Sequence, residues 1–192
     1  MRSVCVFCGS NPGDRPAFVE LARTLGTLLA RRGTTLVYGG GRVGLMGAAA
    51  DAALAAGGRV IGVIPQMLLD REVGHSGLTQ LHVVGTMAER KRLMGELADA
   101  FITLPGGIGT MDELFEAWTW TQLRLHDKPC GLLNFAGYYD ALIAFLDGAV
   151  EAGFLRPRHR AALIVDTNLE SLLARLADAA GRPAPVASPA AE

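Results

Sequence analysis

The sequence has little cysteine, no long apolar run and no excess of positive charge. Its three cysteines, Cys5, Cys8 and Cys130, are too few and too odd in number for a disulfide framework. No apolar run approaches the roughly 20 residues of a membrane span, and "MRSVCVFCGS" at the start lacks the apolar core and cleavage site of a signal peptide. We therefore expect a cytoplasmic protein that does not associate with membranes.

Charge and size limit the partners and the number of domains. The formal net charge is −1, and the scattered arginines form no face of the kind that nucleic acid selects. We therefore expect a small-molecule ligand and no nucleic acid. A chain of 192 residues, half of them hydrophobic, can bury one full core. We predict a single domain over residues 1–180 and a Pro/Ala/Ser-rich, disordered tail over residues 181–192.

Short β-rich runs alternate with amphipathic helical stretches along the chain. Seven runs are predicted as strands, from "SVCVFCG" and "TTLVYGG" to "ALIVD", and six longer stretches as helices. This alternation predicts a doubly wound, Rossmann-like α/β fold, in which helices cover both faces of a parallel sheet. Cys5 and Cys8 fall in the first run, so we expect them to point to opposite faces and to be buried, rather than to form a redox pair.

Two glycine-rich loops lie where strands lead into helices, which is where ligands bind in such sheets. In the first, "GGGRVGLMG", Gly39, Gly41 and Gly44 match the G-x-G-x-x-G pattern of dinucleotide sites, with Gly40 and Gly41 as candidate contacts. The acid that would hold a ribose is missing, because the next strand ends "GVIPQ". Two interpretations stay open for this loop: phosphate binding, or a tight turn with close helix packing.

The second loop, "LPGGIGTMDE", predicts an anion site. Gly106, Gly107 and Gly109 let the backbone turn and approach a ligand closely, and a helix that starts near Thr110 directs its free N–H groups at one spot. A phosphate is the simplest anion for this spot. The G-K-[ST] ending of ATPase P-loops is absent, so the phosphate should belong to a substrate that is neither phosphorylated nor dephosphorylated.

Glu113, in the helix that follows this loop, has two interpretations. The run "TMDE" fits a capping box, in which Thr110 caps the helix and Glu113 reaches back to the cap N–H. Alternatively, a carboxylate one turn into a phosphate-binding helix stands beside the sugar of a nucleotide. There it could bind ribose hydroxyls, orient water or stabilise positive charge at the anomeric carbon.

Basic residues cluster in "TMAERKRLM", the helix before the strand that carries the second loop. Arg90, Lys91 and Arg92, with Glu89, could form a solvated helix face. Because this helix directly precedes that strand, its start could instead lie over the same anion site. Arginine there would bind phosphate or carboxylate with two hydrogen bonds.

Together these motifs resemble one known family. "PGGIGTMDE", with "MAERK" and the upstream "VYGGGRVGLMG", is similar to the LOG ("lonely guy") family of cytokinin-activating phosphoribohydrolases, often labelled lysine decarboxylases. The resemblance runs from about Ser3 to about Ala180 and includes the motif P-G-G-x-G-T-x-x-E and an Arg-Lys pair. It implies hydrolysis of the N-glycosidic bond of an N6-modified adenosine 5′-monophosphate to free base and ribose 5-phosphate, without a cofactor or metal ion.

The resemblance also implies which residues act. Arg90 and Glu113 match the family's catalytic arginine and glutamate. One difference is Ala88, inside "MAERK", where many members carry histidine or a larger residue. The positions that match substrate-binding residues are Glu72 in "DREV", Lys91, Gly107, Ile108, Gly109, Thr110, Met111, Asp112, and Thr119 in "WTWT".

Rival functions stay open. A lysine decarboxylase would need pyridoxal phosphate on a lysine, and the chain has only Lys91 and Lys128. A non-enzymatic nucleotide-binding module would share every glycine with the enzyme, so that only Arg90 and Glu113 favour catalysis. An AMP nucleosidase would act on the unmodified nucleotide. A metal site is not expected, because the four histidines are scattered without ligand spacing.

The helix "DELFEAWTWTQLRL" predicts a second subunit. It is apolar on nearly every side, whereas a helix that covers a sheet should have one polar face. Another helix of the same chain could cover it, but an aromatic patch of this kind is typical of an oligomer contact. We predict a homodimer with its active sites at or near the subunit contact, as in shorter LOG members. The apolar residues are Leu114, Phe115, Trp118, Trp120, Leu123 and Leu125.

Overall fold

A computed structural model of the chain describes residues 1–71 and 74–181. The strands within these residues are β1 (Ser3–Phe7), β2 (Thr35–Tyr38), β3 (Val60–Pro65), β4 (Gln80–Val84), β5 (Phe101–Thr103), β6 (Cys130–Leu133) and β7 (Leu163–Asp166). They form one parallel sheet in the order β4-β3-β2-β1-β5-β6-β7. The order reverses between β1 and β5, and ligands of such sheets bind at that point.

Helices connect the strands. In the described part of the chain they are α1 (Pro16–Arg31), α2 (Gly44–Ala55), α3 (Gln66–Leu69), α4 (Met87–Leu97), α5 (Ile108–Gln122), α6 (Asp140–Glu151), α7 (Pro157–Ala162) and α8 (Leu169–Ala180). The six helices predicted from the sequence are all present. The sequence does not reveal α3, α7 or a 3₁₀ turn over Phe135–Gly137, because segments of one or two turns are too short to show a helical period.

The helices cover both faces of the sheet, and each face has its own hydrophobic core. In β1, Val4 and Val6 pack with α1, α2 and α8, whereas Cys5 and Phe7 pack with α4, α5 and α6. The prediction of a doubly wound, Rossmann-like α/β fold is therefore confirmed. Cys5 and Cys8 are buried free thiols that pack into opposite cores, as predicted.

The apolar helix α5 is only partly covered by its own chain. Leu114 and Trp118 are buried, and the Trp118 Nε1 donates to the His159 carbonyl at 3.0 Å. Other parts of the same chain therefore cover the side of α5 that carries Leu114 and Trp118. Leu123 and Leu125, at its other end, are largely exposed.

The last helix, α8, ends at Ala180. Apart from Gly181, the tail predicted for residues 181–192 lies outside the described residues, so the domain boundary stays a prediction. Across residues 1–71 and 74–181, no helix is both long and apolar enough to cross a membrane.

Candidate active site

Three loops meet at the C-terminal ends of β1, β2 and β5. The Gly9 N–H donates to the Pro105 carbonyl at 3.1 Å, and the Leu45 N–H donates to the Gly9 carbonyl at 3.0 Å. These bonds join the loop after β1 to the loop after β5 and to the start of α2. Beside them lies a cavity of about 620 Å³, a size typical of small-molecule sites.

The second glycine-rich loop forms one wall of this cavity and leads into α5. The helix begins at Ile108 with Gly107 as its N-cap, and no side chain of the described residues caps it. Its first N–H groups are available to a ligand, because Gly107, Ile108, Gly109 and Thr110 line the cavity. Gly106 has no room for a side chain, since a Cβ would lie 2.1 Å from the Thr110 Oγ1. This arrangement supports the predicted anion site.

The capping-box interpretation of Glu113 is wrong. Because α5 starts before Thr110, this threonine lies within the first turn, and the Glu113 carboxylate contacts Arg90 instead. A capping box does form in the similar run "TMAE" at the start of α4. There the Glu89 N–H donates to Thr86 Oγ1 at 3.1 Å, and the Thr86 N–H donates to Glu89 Oε2 at 3.2 Å.

Arg90 is buried, and three contacts hold its guanidinium. Nε donates to the Val63 carbonyl at 3.2 Å and Nη2 to the Gly39 carbonyl at 3.4 Å. Nη1 lies 3.1 Å from the Glu113 Oε1. Arg90 therefore reaches from α4, past the ends of β2 and β3, to a carboxylate on α5. The start of α4 therefore lies over the cavity. This agrees with the second interpretation of the basic cluster, in which the helix start lies over the predicted anion site.

The rest of the basic cluster lies outside the described lining of the cavity. Lys91 Nζ lies 3.0 Å from Asp112 Oδ2 and 2.7 Å from Glu116 Oε2. Arg92 is exposed and pairs with Glu96 one turn further along α4. The solvated-face interpretation is therefore correct for Arg92, whereas the Lys91 side chain is only 17% exposed and lies against these two carboxylates.

The first glycine-rich loop serves close packing. A Cβ on Gly39 would lie 1.8 Å from the Arg90 Nη2, so glycine here makes room for the guanidinium. Gly44 has a φ of +63° and lies directly against the Ser10 backbone. The structure thus favours the tight-turn interpretation. The glycines of this loop that lie outside the described cavity lining are Gly39, Gly40, Gly41 and Gly44.

Burial raises the pKa of Glu113 to about 6, although the Arg90 guanidinium opposes the shift. Repulsion from the Asp112 carboxylate adds to the rise, and the Lys91 ammonium lowers it. At neutral pH the carboxylate is therefore mainly ionised, and it takes up a proton about one pH unit lower. A buried carboxylate with a raised pKa in a cavity is typical of catalytic acids and bases.

Some residues implied by the family resemblance lie away from the cavity. Met111 packs against the core beneath α5, and Thr119 is exposed on that helix. Glu72 lies outside the described residues. The residues that the structure places outside the described lining are Lys91, Met111, Asp112 and Thr119.

Sequence reasoning missed the loop after β1 and a tyrosine after β6. Ser10, Asn11 and Asp14 line the cavity, and the Tyr138 hydroxyl donates to the Gly106 carbonyl at 2.9 Å. The run "GSNPGD" after the first strand was the available signal, because it has the composition of a ligand-binding loop. Its place beside the second glycine loop depends on the strand order, which no local pattern shows.

Comparison with known proteins identifies the family. Residues 46–176 match the family model described as "Possible lysine decarboxylase". The chain is 49% identical over 176 residues to a cytokinin riboside 5′-monophosphate phosphoribohydrolase of Rhodococcoides fascians, covering 91% of this chain and 89% of that protein. It is 45% identical over 187 residues to one of Arabidopsis thaliana, covering 97% and 88%. The chain belongs to the LOG family.

The LOG fold also occurs in proteins with other roles. The molybdenum cofactor carrier protein of Chlamydomonas reinhardtii aligns with a TM-score of 0.69 over 94% of this chain and 98% of that chain, at 22% identity. At this identity the likeness concerns the fold alone. The function of this LOG protein has to be argued from its site.

The label of the family model does not fit the lysines of this LOG protein. A decarboxylase of that kind holds pyridoxal phosphate as a Schiff base on a lysine. Lys91 is paired with carboxylates, and the Lys128 Nζ donates to the Gly95 carbonyl at 2.6 Å. Both lysines belong to the described part of the chain, and neither lines the cavity. Within residues 1–71 and 74–181, no three His, Cys, Asp or Glu side chains are grouped so as to hold a metal ion.

Proposed function

We propose that this LOG protein hydrolyses the N-glycosidic bond of N6-modified adenosine 5′-monophosphates, releasing the free base and ribose 5-phosphate. The observation that carries the proposal is the buried ion pair of Arg90 and Glu113, which shares one cavity with the uncapped start of α5. The names of the relatives from R. fascians and A. thaliana support the same reaction.

The 5′-phosphate binds at the start of α5. The first N–H groups of this helix, on Ile108, Gly109 and Thr110, offer donors at the positive end of the helix dipole. Ser10 and Asn11, from the loop after β1, line the same cavity and offer further polar groups. A nucleoside without the phosphate would leave these groups unpaired, so it should be a poor substrate.

Glu113 acts at the ribose. It lies one turn into α5, so the sugar attached to a phosphate at the helix start lies beside its carboxylate. As the bond between C1′ and the base nitrogen breaks, the carboxylate stabilises positive charge on the sugar and orients the attacking water. The water supplies a hydroxyl group to C1′ and a proton that balances the negative charge of the departing base.

Arg90 holds the Glu113 carboxylate and favours its ionised form, because a neighbouring positive charge lowers the pKa of an acid. Its contacts with the Val63 and Gly39 carbonyls keep the guanidinium in place. A guanidinium has five N–H donors, so Arg90 can also donate to the leaving base or to the phosphate.

We further propose a homodimer whose subunits meet over the outer side of α5. Ile108 is 91% exposed at the cavity, and Thr119 and Leu123 are exposed further along the helix. On the same face of the sheet, α6 is apolar but fully buries only Leu146 among the described residues, and Phe145 is largely exposed. Exposed apolar surface of this extent supports a subunit contact, which would lie at the mouth of the cavity.

A product assay tests the proposed reaction. The purified protein is incubated with isopentenyl-AMP, with AMP and with isopentenyladenosine, and free base and ribose 5-phosphate are quantified. We expect equimolar base and ribose 5-phosphate from isopentenyl-AMP, and far less base from the nucleoside. Nucleotide binding without release of base would identify a binding module, and a higher kcat/KM for AMP would identify an AMP nucleosidase. Equal kcat/KM values for nucleoside and monophosphate would contradict the phosphate site.

A further inference from the structure

A second cavity lies on the α4 and α5 side of the sheet, apart from the candidate active site. It has a volume of about 400 Å³, which is within the range of sites that bind small molecules. It lies between the last turns of α4 and the segment that joins α5 to β6. Of the described residues, none lines both cavities. The lining includes Arg92 and Glu96 from α4, and Trp120, Leu125, His126 and Lys128 from α5 and the joining segment.

The wall of the second cavity is mainly apolar. Trp120 is half-buried and belongs to neither hydrophobic core of the described residues, and the same is true of Leu125, which is 68% exposed. The indole ring packs beside Gly95, where an added Cβ would lie 3.4 Å from the Trp120 Cζ3. It meets the His126 ring edge-on, at 6.2 Å between centroids. These side chains leave an apolar surface on which an aromatic ring can pack.

Lys128 places one positive charge at this wall. Its half-buried side chain donates from Nζ to the Gly95 carbonyl at 2.6 Å. An ammonium has three N–H donors, so this bond leaves two for a ligand. Lys128 takes part in none of the ion pairs found within residues 1–71 and 74–181. Burial lowers the pKa of the ammonium, although the charges of Asp99 and Glu96 oppose the shift. An anion at Nζ would therefore meet a charge that the protein compensates only in part.

The two other charged side chains of the lining neutralise each other. Arg92 Nη1 and Glu96 Oε1 form an ion pair at the rim, where both side chains are more than half exposed. Water screens an exposed pair of this kind, so it affects a ligand little. The lining therefore presents close to the charge of one ammonium. This charge matches a monoanion better than it matches a doubly charged phosphate.

His126 adds a hydrogen-bond donor to the lining. Its Nδ1 accepts from the Lys128 backbone N–H at 3.2 Å, so the proton of the neutral ring is on Nε2. Burial and the Lys128 charge lower the pKa of His126, and the ring is therefore neutral at neutral pH. Nε2 is buried and has no hydrogen-bond partner among the described residues, which costs free energy. A ligand oxygen at this nitrogen would remove that cost.

We propose that the second cavity binds a small aromatic monocarboxylate. The ring of this ligand packs against Trp120 and Leu125, and its carboxylate accepts hydrogen bonds from the Lys128 ammonium. The ring gains free energy by leaving water, and the carboxylate gives Lys128 a counter-charge at hydrogen-bond distance. The inference does not depend on the proposed function, because the two cavities share no described lining residue.

Calorimetric titration of the full chain with 2-naphthoate, and with 2-naphthamide as its uncharged analogue, tests the site. We expect naphthoate to bind the wild-type protein with a Kd of about 1 mM or lower, which suits a ligand of this size. Naphthamide should bind about tenfold more weakly, because it lacks the charge that strengthens the hydrogen bond to Lys128.

Lys128→Met should weaken the binding of naphthoate by about tenfold for the same reason. Lys91→Met is the matched control, because Lys91 is the other lysine of the chain and lies outside the described lining of both cavities. In Lys91→Met the Kd for naphthoate should not change.

Equal Kd values for naphthoate and naphthamide in the wild-type protein would overturn the inference without the use of a variant. An unchanged Kd for naphthoate in a folded Lys128→Met protein would also overturn it, as would equal weakening in Lys128→Met and Lys91→Met. If the wild-type protein does not bind naphthoate, the inference is wrong as well. Light scattering of Leu125→Asp then shows whether a second subunit covers the cavity instead, because loss of that contact would lower the mass in solution.

Discussion

The Nη1 of Arg90 lies 3.1 Å from the Oε1 of Glu113, and the two side chains are only 9% and 10% exposed. Removing two charges from water costs free energy that their mutual attraction does not always recover, so a buried pair is weak evidence for a purely stabilising role. Its place in a cavity, beside the free N–H groups at the start of α5, points to catalysis.

Activity should depend on the ionisation of Glu113, whose pKa burial raises to about 6. In the proposed mechanism the carboxylate is the active form, because it stabilises positive charge on the sugar. The protonated, inactive fraction grows as the pH falls through this pKa, so kcat/KM should decline below about pH 6 and be level above it. Initial rates between about pH 5 and pH 8, with circular dichroism to confirm folding, check this. A rate that increases towards acid pH would contradict the role of the carboxylate.

Variants of Lys91 and Asp112, the charged neighbours of Glu113, provide a sharper form of the same test. The Lys91 charge lowers the pKa of Glu113, so Lys91→Met should move the acid limb of the profile to higher pH. The Asp112 charge raises that pKa, so Asp112→Asn should move the limb to lower pH. If the acid limb stayed at the wild-type pH in both variants, it would not report the ionisation of Glu113.

Arg90 and Glu113 should be coupled in stability. Arg90→Met leaves a buried carboxylate without its counter-charge, which should lower the free energy of unfolding by about 3–5 kcal/mol at neutral pH. The pKa of the lone Glu113 in the folded state would be raised further above its ordinary 4.5. The folded state then binds the proton more tightly than the unfolded state, so the loss should shrink as the pH is lowered. Urea unfolding at two pH values measures this.

The double variant Arg90→Met/Glu113→Gln provides the control for that coupling. Because it has no uncompensated charge in the cavity, it should recover much of the stability that Arg90→Met loses. Losses that simply add in the double variant would show that the two side chains do not stabilise each other.

Strands and helices could be predicted from the sequence because apolar periodicity is a local property. Strand order is not local. Nothing in "SVCVFCG" shows that β1 pairs with β5, so the contribution of Ser10 and Asn11 to the site could not be predicted. The short helix α3, which places Leu68 in the cavity, has too few residues to show a period.

The role of Glu113 could not be decided from spacing either. "TMAE" and "TMDE" have the same pattern, yet only the first forms a capping box. The difference arises because Gly107 begins α5 early and because Arg90, on another helix, reaches the Glu113 carboxylate. A contact between two helices appears only once the chain has folded.

Tyr138 should act on substrate binding through the glycine loop. Its hydroxyl donates to the Gly106 carbonyl at 2.9 Å, and its side chain is partly exposed, so it contributes little to the core. Tyr138→Phe should raise KM for isopentenyl-AMP several-fold with a small change in kcat, because the N–H groups after Gly106 would be less well oriented. Steady-state kinetics and thermal melting separate this from a loss of stability. An unchanged KM would rule out the positioning role.

The proposed homodimer can be tested by light scattering at micromolar concentration, where we expect the mass of two chains. Leu123→Asp places a charge on the exposed side of α5 and should favour monomers with reduced activity. Val83→Asp, on the edge strand β4, changes an exposed residue of similar character and should leave the dimer intact. A wild-type monomer with full activity would refute the proposed contact.

The most direct test of the proposed mechanism is the kcat of Glu113→Gln with isopentenyl-AMP, measured beside Glu116→Gln. Glu116 lies one turn further along α5, pairs with Lys91 and is outside the described lining of the cavity, so its variant should keep most of its activity. Glu113→Gln should remain folded and still bind the nucleotide, although it should melt below the wild-type temperature because Arg90 loses its counter-charge. Its kcat should be lower by about 100-fold or more, because the charge that we propose to stabilise the sugar cation is gone. A folded Glu113→Gln protein with wild-type kcat would contradict the assignment of Glu113 as the catalytic carboxylate.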